Sequence, residues 1–401
     1  MSEKVIIYAG NYNLKKMNAA GKRVYSNSIL IKQCGYKVIL LSGDLADDEY
    51  TSIKETHKVI YGFDVYSYPR KVSTKRYNFF NYFNALKDFI KFLKYEQKEN
   101  IVAIITYGTP SLSILERKIQ IFAHKQGIKV IADVVDWLKV GGGWVFRIIK
   151  QADTNYRISY VNKKADALIT ISSWLKNYYD RSKKRTIVIP PLEWKREQHS
   201  SNANNIPQIV YAGIPFRLGV RIKKPKLMKD RFDLTLHYLA DVHRRGISFR
   251  FHVYGITKED VLISAGYLKK DIDVLEDDIV FHGRKTVEEI KDALSSMDYS
   301  IILRNNNRET MAGFSTKISE SISSCVPVIT TDTSDISSYL PEGNGAYYLN
   351  LNNQEESVKK LSDLLSADSK DRTNQINKCA SISVFDINTY VDAMKKFLMD
   401  L

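Results

Sequence analysis

M-A-G-F-S-T-K-I-S-E-S-I-S-S-C-V-P-V-I-T-T-D, Met311–Asp332, reads as a short loop, a helix opening near Ser315 or Thr316, and a buried strand. Pro327 marks the helix-to-strand junction, and Val328 and Ile329 supply the apolar run. Lys317 and Glu320 lie three apart, so a helix places them on one face of its first turns. A helix N-terminus concentrates backbone N–H groups without intrahelical partners, which suits a phosphate. Ser315, Thr316 and Lys317 are the phosphate candidates, and the Glu320 carboxylate can accept hydrogen bonds from ribose hydroxyls. One turn thus meets the needs of a phosphate and a sugar.

Working outward, strand and helix patterns alternate on both sides of this turn. Apolar strands are expected at Lys4–Ala9, Tyr36–Leu41, Val59–Tyr66, Ile101–Thr106, Ile128–Ala132, Ala167–Ile171 and Thr186–Ile189. The polar, aperiodic stretch Glu197–Asn205 reads as a linker. After it, Gln208–Ala212, Phe249–Tyr254, Asp278–Phe281, Tyr299–Leu303 and Val328–Thr330 repeat the pattern. Apolar strands alternating with helices predict an α/β protein with parallel sheets covered on both faces. The expected layout is a domain over 1–196, a linker over 197–206, a domain over 207–385, and a helical tail over 386–401 that packs back on the first domain. Ligands of such sheets bind at the carboxyl ends of the strands, here in a cleft between two facing domains.

With 401 residues, 44% hydrophobic and 26% charged, the chain suits two soluble domains, each with its own core. Cys34, Cys325 and Cys379 are scattered without metal-ligand spacing, which argues for a reducing compartment and no disulfide framework. The start M-S-E-K-V-I-I-Y-A-G reads as a first strand and lacks a signal-peptide pattern. No apolar run approaches the roughly 20 residues of a membrane helix, so a cytoplasmic location is expected. A formal net charge of +15 favours anionic partners: nucleic acid, an anionic membrane surface or phosphorylated small molecules. Helix-turn-helix, zinc-finger and aromatic-basic RNA-binding patterns are missing, so nucleic acid is not expected.

Several segments, taken in order, resemble the GT-B glycosyltransferases of the large retaining group (group 1, family 4-like) that includes sucrose and glycogen synthases. They are Y-A-G at Tyr211–Gly213, K-D-R-F-D-L-T-L-H-Y-L at Lys229–Leu239, F-H-V-Y-G at Phe251–Gly255 and I-V-F-H-G-R at Ile279–Arg284. V-E-E-I-K-D-A-L-S-S-M-D, F-S-T-K-I-S-E-S and V-P-V-I-T-T-D follow. In the first domain, A-D-A-L-I-T-I-S-S-W-L-K-N-Y-Y and the later I-P-P resemble the segment that closes that domain in the family. The resemblance implies two Rossmann-like doubly wound domains, the first for the acceptor and the second for a nucleotide-sugar donor.

The resemblance also implies roles. Glu320 matches the second glutamate of the family's E-x7-E signature, which holds the donor ribose, but Ala312 stands where the first glutamate is expected. Glu309 lies at the wrong offset, and the turn is similar to a Lys-x-x-Glu subgroup. In the basic loop Arg217–Arg231, Lys229 matches the family lysine that neutralises the donor diphosphate as the bond breaks, with Arg217 or Arg221 as its companion. A solvated charge run is the alternative. The donor base is expected near Gly283 and Arg284, and Gly213, which ends the strand before the basic loop, is a further donor-binding candidate. Gly21, in Asn18–Lys22, is expected in the loop between the first strand and its helix, where a phosphate approaches closely. In Ala132–Leu138, Asp136 is the first candidate for contact with the donor sugar or acceptor and Asp133 the second; capping of the next segment is the structural alternative. Gly141–Gly143 reads as a mobile loop around the acceptor.

The expected donor is a nucleoside diphosphate sugar, UDP first, transferred with retention to a saccharide, lipid-linked or glycoprotein acceptor in surface polysaccharide or glycoconjugate synthesis. No cofactor and no metal are expected, because lysine and arginine can do the charge work. An inactive accessory or sugar-binding subunit is the main rival, motivated by Ala312, and a nucleotide-sugar epimerase of the same architecture the second. Phe79, Phe83, Leu86, Ile90 and Leu93 share one face of an expected helix whose other face carries Lys87, Lys91 and Lys94, with Arg70, Lys71, Lys75 and Arg76 just before. Such a helix either lies on an anionic membrane or packs on the first sheet with a solvated lysine face.

Overall fold

A first apolar strand, β1 (Lys4–Gly10), buries Val5, Ile6, Ile7 and Tyr8 to 1% exposure or less, because it lies mid-sheet and is covered on both faces. It pairs in parallel with β2 (Lys37–Leu45) on one side and with β5 (Asn100–Tyr107) on the other. The computed structural model describes residues 3–15, 17–45, 53–68, 89, 91–93, 100–108, 113–137, 144–194, 203–222, 224–225 and 228–401. The expected helix over 79–94 falls almost wholly outside them, as do its preceding basic residues, the glycine triplet 141–143 and residues 197–202 of the linker.

Two units emerge. The first comprises Met1–Leu192 with Ile387–Leu401, the second Glu193–Asp386. The first unit has an eight-stranded sheet in the order β3-β4-β2-β1-β5-β6-β7-β8, with β3 (Lys58–Ile60), β4 (Phe63–Tyr68), β6 (Lys129–Val134), β7 (Ala167–Thr170) and β8 (Arg185–Val188). The single strand expected over Val59–Tyr66 is instead a hairpin. Tyr61 (φ 50°) and Gly62 (φ 77°) both take positive φ, and Ile60 pairs with Phe63. Two consecutive left-handed residues make the tight turn of an antiparallel pair, which folds the apolar run back on itself. The tail is a 3-10 turn (Ile387–Tyr390) followed by a helix (Val391–Met399), and Met394, Phe397 and Leu398 join the first unit's core. Each such burial is worth about 2 kcal/mol.

The second unit has a wholly parallel sheet in the order β11-β10-β9-β12-β13-β14. Its strands are β9 (Gln208–Ala212), β10 (Arg250–Tyr254), β11 (Ile279–Gly283), β12 (Tyr299–Ile302), β13 (Val328–Thr330) and β14 (Ala346–Tyr348). β14 is three residues long, too short for periodicity to reveal. The described part of the expected linker is fastened to this unit. The Ala203 N–H donates to Thr373 Oγ1 at 2.9 Å, and the Asn204 N–H donates to Asp298 at 3.0 Å.

Candidate functional site

Parallel strands bring their carboxyl ends to one edge of a sheet. In the second unit that edge carries Gly213 after β9, Gly255 after β10, Gly283 at the end of β11 and Arg304 beyond β12. The backbones are tightly laced: the Gly213 N–H donates to the Tyr254 carbonyl at 2.9 Å, and the Gly255 N–H to the Gly283 carbonyl at 2.7 Å. A Cβ on Gly255 would lie 2.6 Å from the Gly213 oxygen, so only glycine fits.

The helix opening the decisive turn spans Thr316–Ser323. Ser315 precedes it in an extended conformation, but no side chain caps the helix, and the buried Ser315 Oγ has no hydrogen-bond partner. A polar first turn is thereby left for a ligand. Lys317 lies back across the end of β9, where a Cβ on Gly213 would come within 2.3 Å of Lys317 Cε. Its ammonium sits 5.4 Å from the Tyr211 ring centre and 2.5 Å from Asp230 Oδ2.

Asp230 is the hub. Arg304 Nε donates to its Oδ1 at 2.8 Å, and the Tyr211 hydroxyl donates to its Oδ2 at 2.9 Å. The carboxylate side chain is 5% exposed and that of Lys317 22%. Burial raises the Asp230 carboxyl, but Arg304 and Lys317 together outweigh it and hold it well below the usual range. Burial lowers the Lys317 ammonium, and Asp230 restores only part of the shift. Two cations surround one carboxylate beside an uncapped helix N-terminus, where an anion is stabilised, and Glu320 adds a smaller pull on Lys317. Asp230, Arg304 and Tyr211 were not singled out from the sequence. The available signal was position: Asp230 follows Lys229 directly, and Arg304 ends an apolar strand.

The other expected residues of this unit fall around that edge. Lys229 and Arg217, both exposed, line one open cavity of about 580 Å³ with Phe216 and Met228; Arg221 is not among its lining residues. Glu320 and Thr316 are half-buried on the Lys317 helix. Gly283 (φ 65°) holds a turn that leaves Arg284 exposed. Ala312 is wholly buried at the end of the short helix Arg308–Ala312, and Glu309 lies within it, half-buried.

In the first unit the structure departs from two expectations. Gly21 is not in the connecting loop. It lies in the first turn of the helix Ala19–Gln33, whose cap Asn18 accepts its N–H at 2.9 Å. A Cβ there would sit 2.3 Å from the Asn13 carbonyl, so the close approach it permits is that of the chain itself. Asp133 is not turned toward a ligand. Arg23 grips it through Nη2 at 2.7 Å and Nε at 3.0 Å, and the Tyr8 hydroxyl donates to it. Asn27 Nδ2 adds a contact at 3.4 Å, and the carboxylate side chain is 0% exposed. A buried carboxylate so fully partnered orients the first helix on the sheet. Asp136, half-buried three residues later, lines a small cavity of about 20 Å³ with Thr154, Arg157 and Asn162.

Comparison with known proteins bears on the fold. Residues 221–367 match the model of the family Glycosyl transferases group 1. No curated protein sequence matches the chain. Among solved structures, a sucrose-phosphate synthase from Thermosynechococcus elongatus superposes with a TM-score of 0.65 at 12% identity, covering 99% of this chain and 98% of that one. HepE of Anabaena, solved in complex with UDP and glucose, gives 0.65 at 12% identity over 100% of both chains. An α,α-trehalose 6-phosphate synthase from Burkholderia multivorans gives 0.63 at 9%, covering 100% of this chain and 99% of that one. Residues 221–367 thus match the family Glycosyl transferases group 1, and the chain as a whole has the GT-B fold of these glycosyltransferases.

Proposed function

We propose that this protein is a retaining glycosyltransferase that moves a sugar from a UDP-sugar to a saccharide or lipid-linked acceptor, in bacterial surface polysaccharide or glycoconjugate synthesis. The observation carrying this reading is Lys317, held by Asp230 over Gly213 at the mouth of an uncapped helix. The N–H groups of that helix and Lys317 receive the donor diphosphate, and Glu320 receives the ribose. Lys229 and Arg217, which share a cavity, offset the charge that grows on the leaving diphosphate. The leaving phosphate takes the acceptor proton on the same face, so no enzymic nucleophile is used. Asp136 is the first unit's candidate for contact with the sugar or acceptor hydroxyl. Since lysine and arginine carry the charge work, transfer proceeds without metal. HepE, of the same fold, was solved with UDP and glucose, which supports UDP as the donor nucleotide. The chain works in the cytoplasm, touching the inner face of a membrane.

A second reading rests on Ala312, whose wholly buried methyl replaces an expected carboxylate: an accessory subunit that binds nucleotide without transferring sugar. The test is calorimetric binding of UDP, GDP and ADP, followed by turnover of a panel of nucleotide sugars with EDTA present. Tight UDP binding with donor consumption supports the transferase. UDP binding without consumption of any donor assigns the accessory role, and absence of nucleotide binding removes both.

A further inference from the structure

Six of the sixteen exposed large apolar side chains among the described residues come from one pair of helices in the first unit. Ile114 (45%) and Ile121 (41%) stand on the helix Ser113–Lys125. Ile148 (57%), Ile149 (62%) and Tyr156 (39%) stand on the helix Trp144–Tyr156, and Tyr160 (41%) on the turn that extends it. The two helices are locked side by side and run parallel, since their partners rise in number together. The Ser113 N–H donates to Asp153 at 3.2 Å, Arg157 meets Glu116 at 3.7 Å, and Gln120 donates to the Val161 carbonyl at 3.0 Å. These ties make the six side chains parts of one rigid surface.

Charge on that surface has one sign. The only acids of the two helices, Glu116 and Asp153, are turned into the seam between them by Arg157 and Ser113. Outward stand Lys118 and Lys164, both exposed, while Arg117 and Lys164 lie 5.7 and 5.4 Å from the Tyr160 ring centre. Isoleucine that reaches hydrocarbon, tyrosine at the boundary and a cationic surround are what an anionic lipid surface selects. A second copy is disfavoured, because a two-fold contact would press this positive face against itself.

We propose that the paired helices Ser113–Lys125 and Trp144–Tyr156 form the surface by which this chain docks on an anionic phospholipid membrane. This deepens the membrane contact in the function proposed above and assigns it to residues outside the 79–94 segment. The test is flotation of the full chain with vesicles of phosphatidylcholine alone and of phosphatidylcholine mixed equally with phosphatidylglycerol. The chain is expected to float with the anionic vesicles only, and less at high salt, which screens the cations. The double variant Ile148→Glu/Ile149→Glu is expected to partition at least about tenfold less. Ile263→Glu, an equally exposed apolar position (64%) of the second unit, is expected to float as the native chain does. UDP binding measured on the same samples tests the transferase reading separately. The proposal is overturned if the native chain stays off anionic vesicles, or if the double variant floats like the native chain. Sedimentation showing a native dimer that the double variant splits would give the face to a second copy and overturn it too.

Discussion

Replacing Asp230 by Asn keeps its shape and some hydrogen bonding but removes the one negative charge between Lys317 and Arg304. At present Arg304 Nε lies 2.8 Å and Lys317 Nζ 2.5 Å from its two oxygens. After the change the two cations share a site without the carboxylate between them. Breaking a buried pair from one side costs about 3–5 kcal/mol. Lys317 is 22% exposed and partly screened, so the lower end applies, about 3 kcal/mol. For a unit of this size that is a fall of roughly 6–12 °C in the melting temperature of its transition. The pH dependence follows from the sign of the shift. The Asp230 carboxyl is lowered in the folded state, so its contribution is complete above the unfolded value of about 3.9 and fades only as pH falls below it. The gap between native and Asp230→Asn should therefore be constant from neutral pH to about pH 5 and narrow below about pH 4. Urea unfolding followed by circular dichroism at several pH values measures it. A loss under about 1 kcal/mol at neutral pH, or a gap that widens on acidification, would refute the reasoning.

Four further outcomes are expected. Lys229→Ala should cut kcat by about a hundredfold or more with unfolding unchanged, as removal of a charge-stabilising group does; native turnover would remove Lys229 from the mechanism. In the same assays Glu320→Ala should weaken UDP by about tenfold and leave pyrophosphate binding alone, because it acts on the ribose. Gly213→Ala should displace Lys317, since the new methyl would fall 2.3 Å from its Cε, and calorimetry should show UDP affinity falling as far as in Lys317→Ala. Burial, His282 and Arg250 depress the His252 imidazole to about 4, and it contacts Gln208 and His282 at 2.8 and 2.9 Å. The unfolded imidazole takes up its proton near 6.5 and the folded one only near 4, so stability falls as pH drops through that window, by about 1–2 kcal/mol after discounting for partial exposure. His252→Gln should flatten that slope in thermal melts between pH 7 and about 4.5; an unchanged slope would place the titration elsewhere.

What the amino-acid sequence determined by itself is local. Apolar runs such as Val5–Tyr8 and Gln208–Ala212 specified strands, because a strand covered on both faces must be apolar throughout. The Lys317 and Glu320 pair marked one face of a helix as a candidate site, because helical spacing is set within four residues. Ordered segments of the second unit carried the fold family. The hairpin at Tyr61 and Gly62 was not legible, since a non-glycine residue with positive φ leaves no periodic mark.

What the tertiary structure decided is convergence. Asp230 meets Tyr211, Arg304 and Lys317 from 19, 74 and 87 positions away, because strand order in a parallel sheet, not chain order, sets which carboxyl ends are neighbours. The same rule withdrew Asp133: Arg23, 110 positions earlier, reaches it across the first sheet and occupies the carboxylate. A residue type and its spacing tell what chemistry is available. Only the packing around a charge decides whether that chemistry faces a ligand or is spent inside the fold.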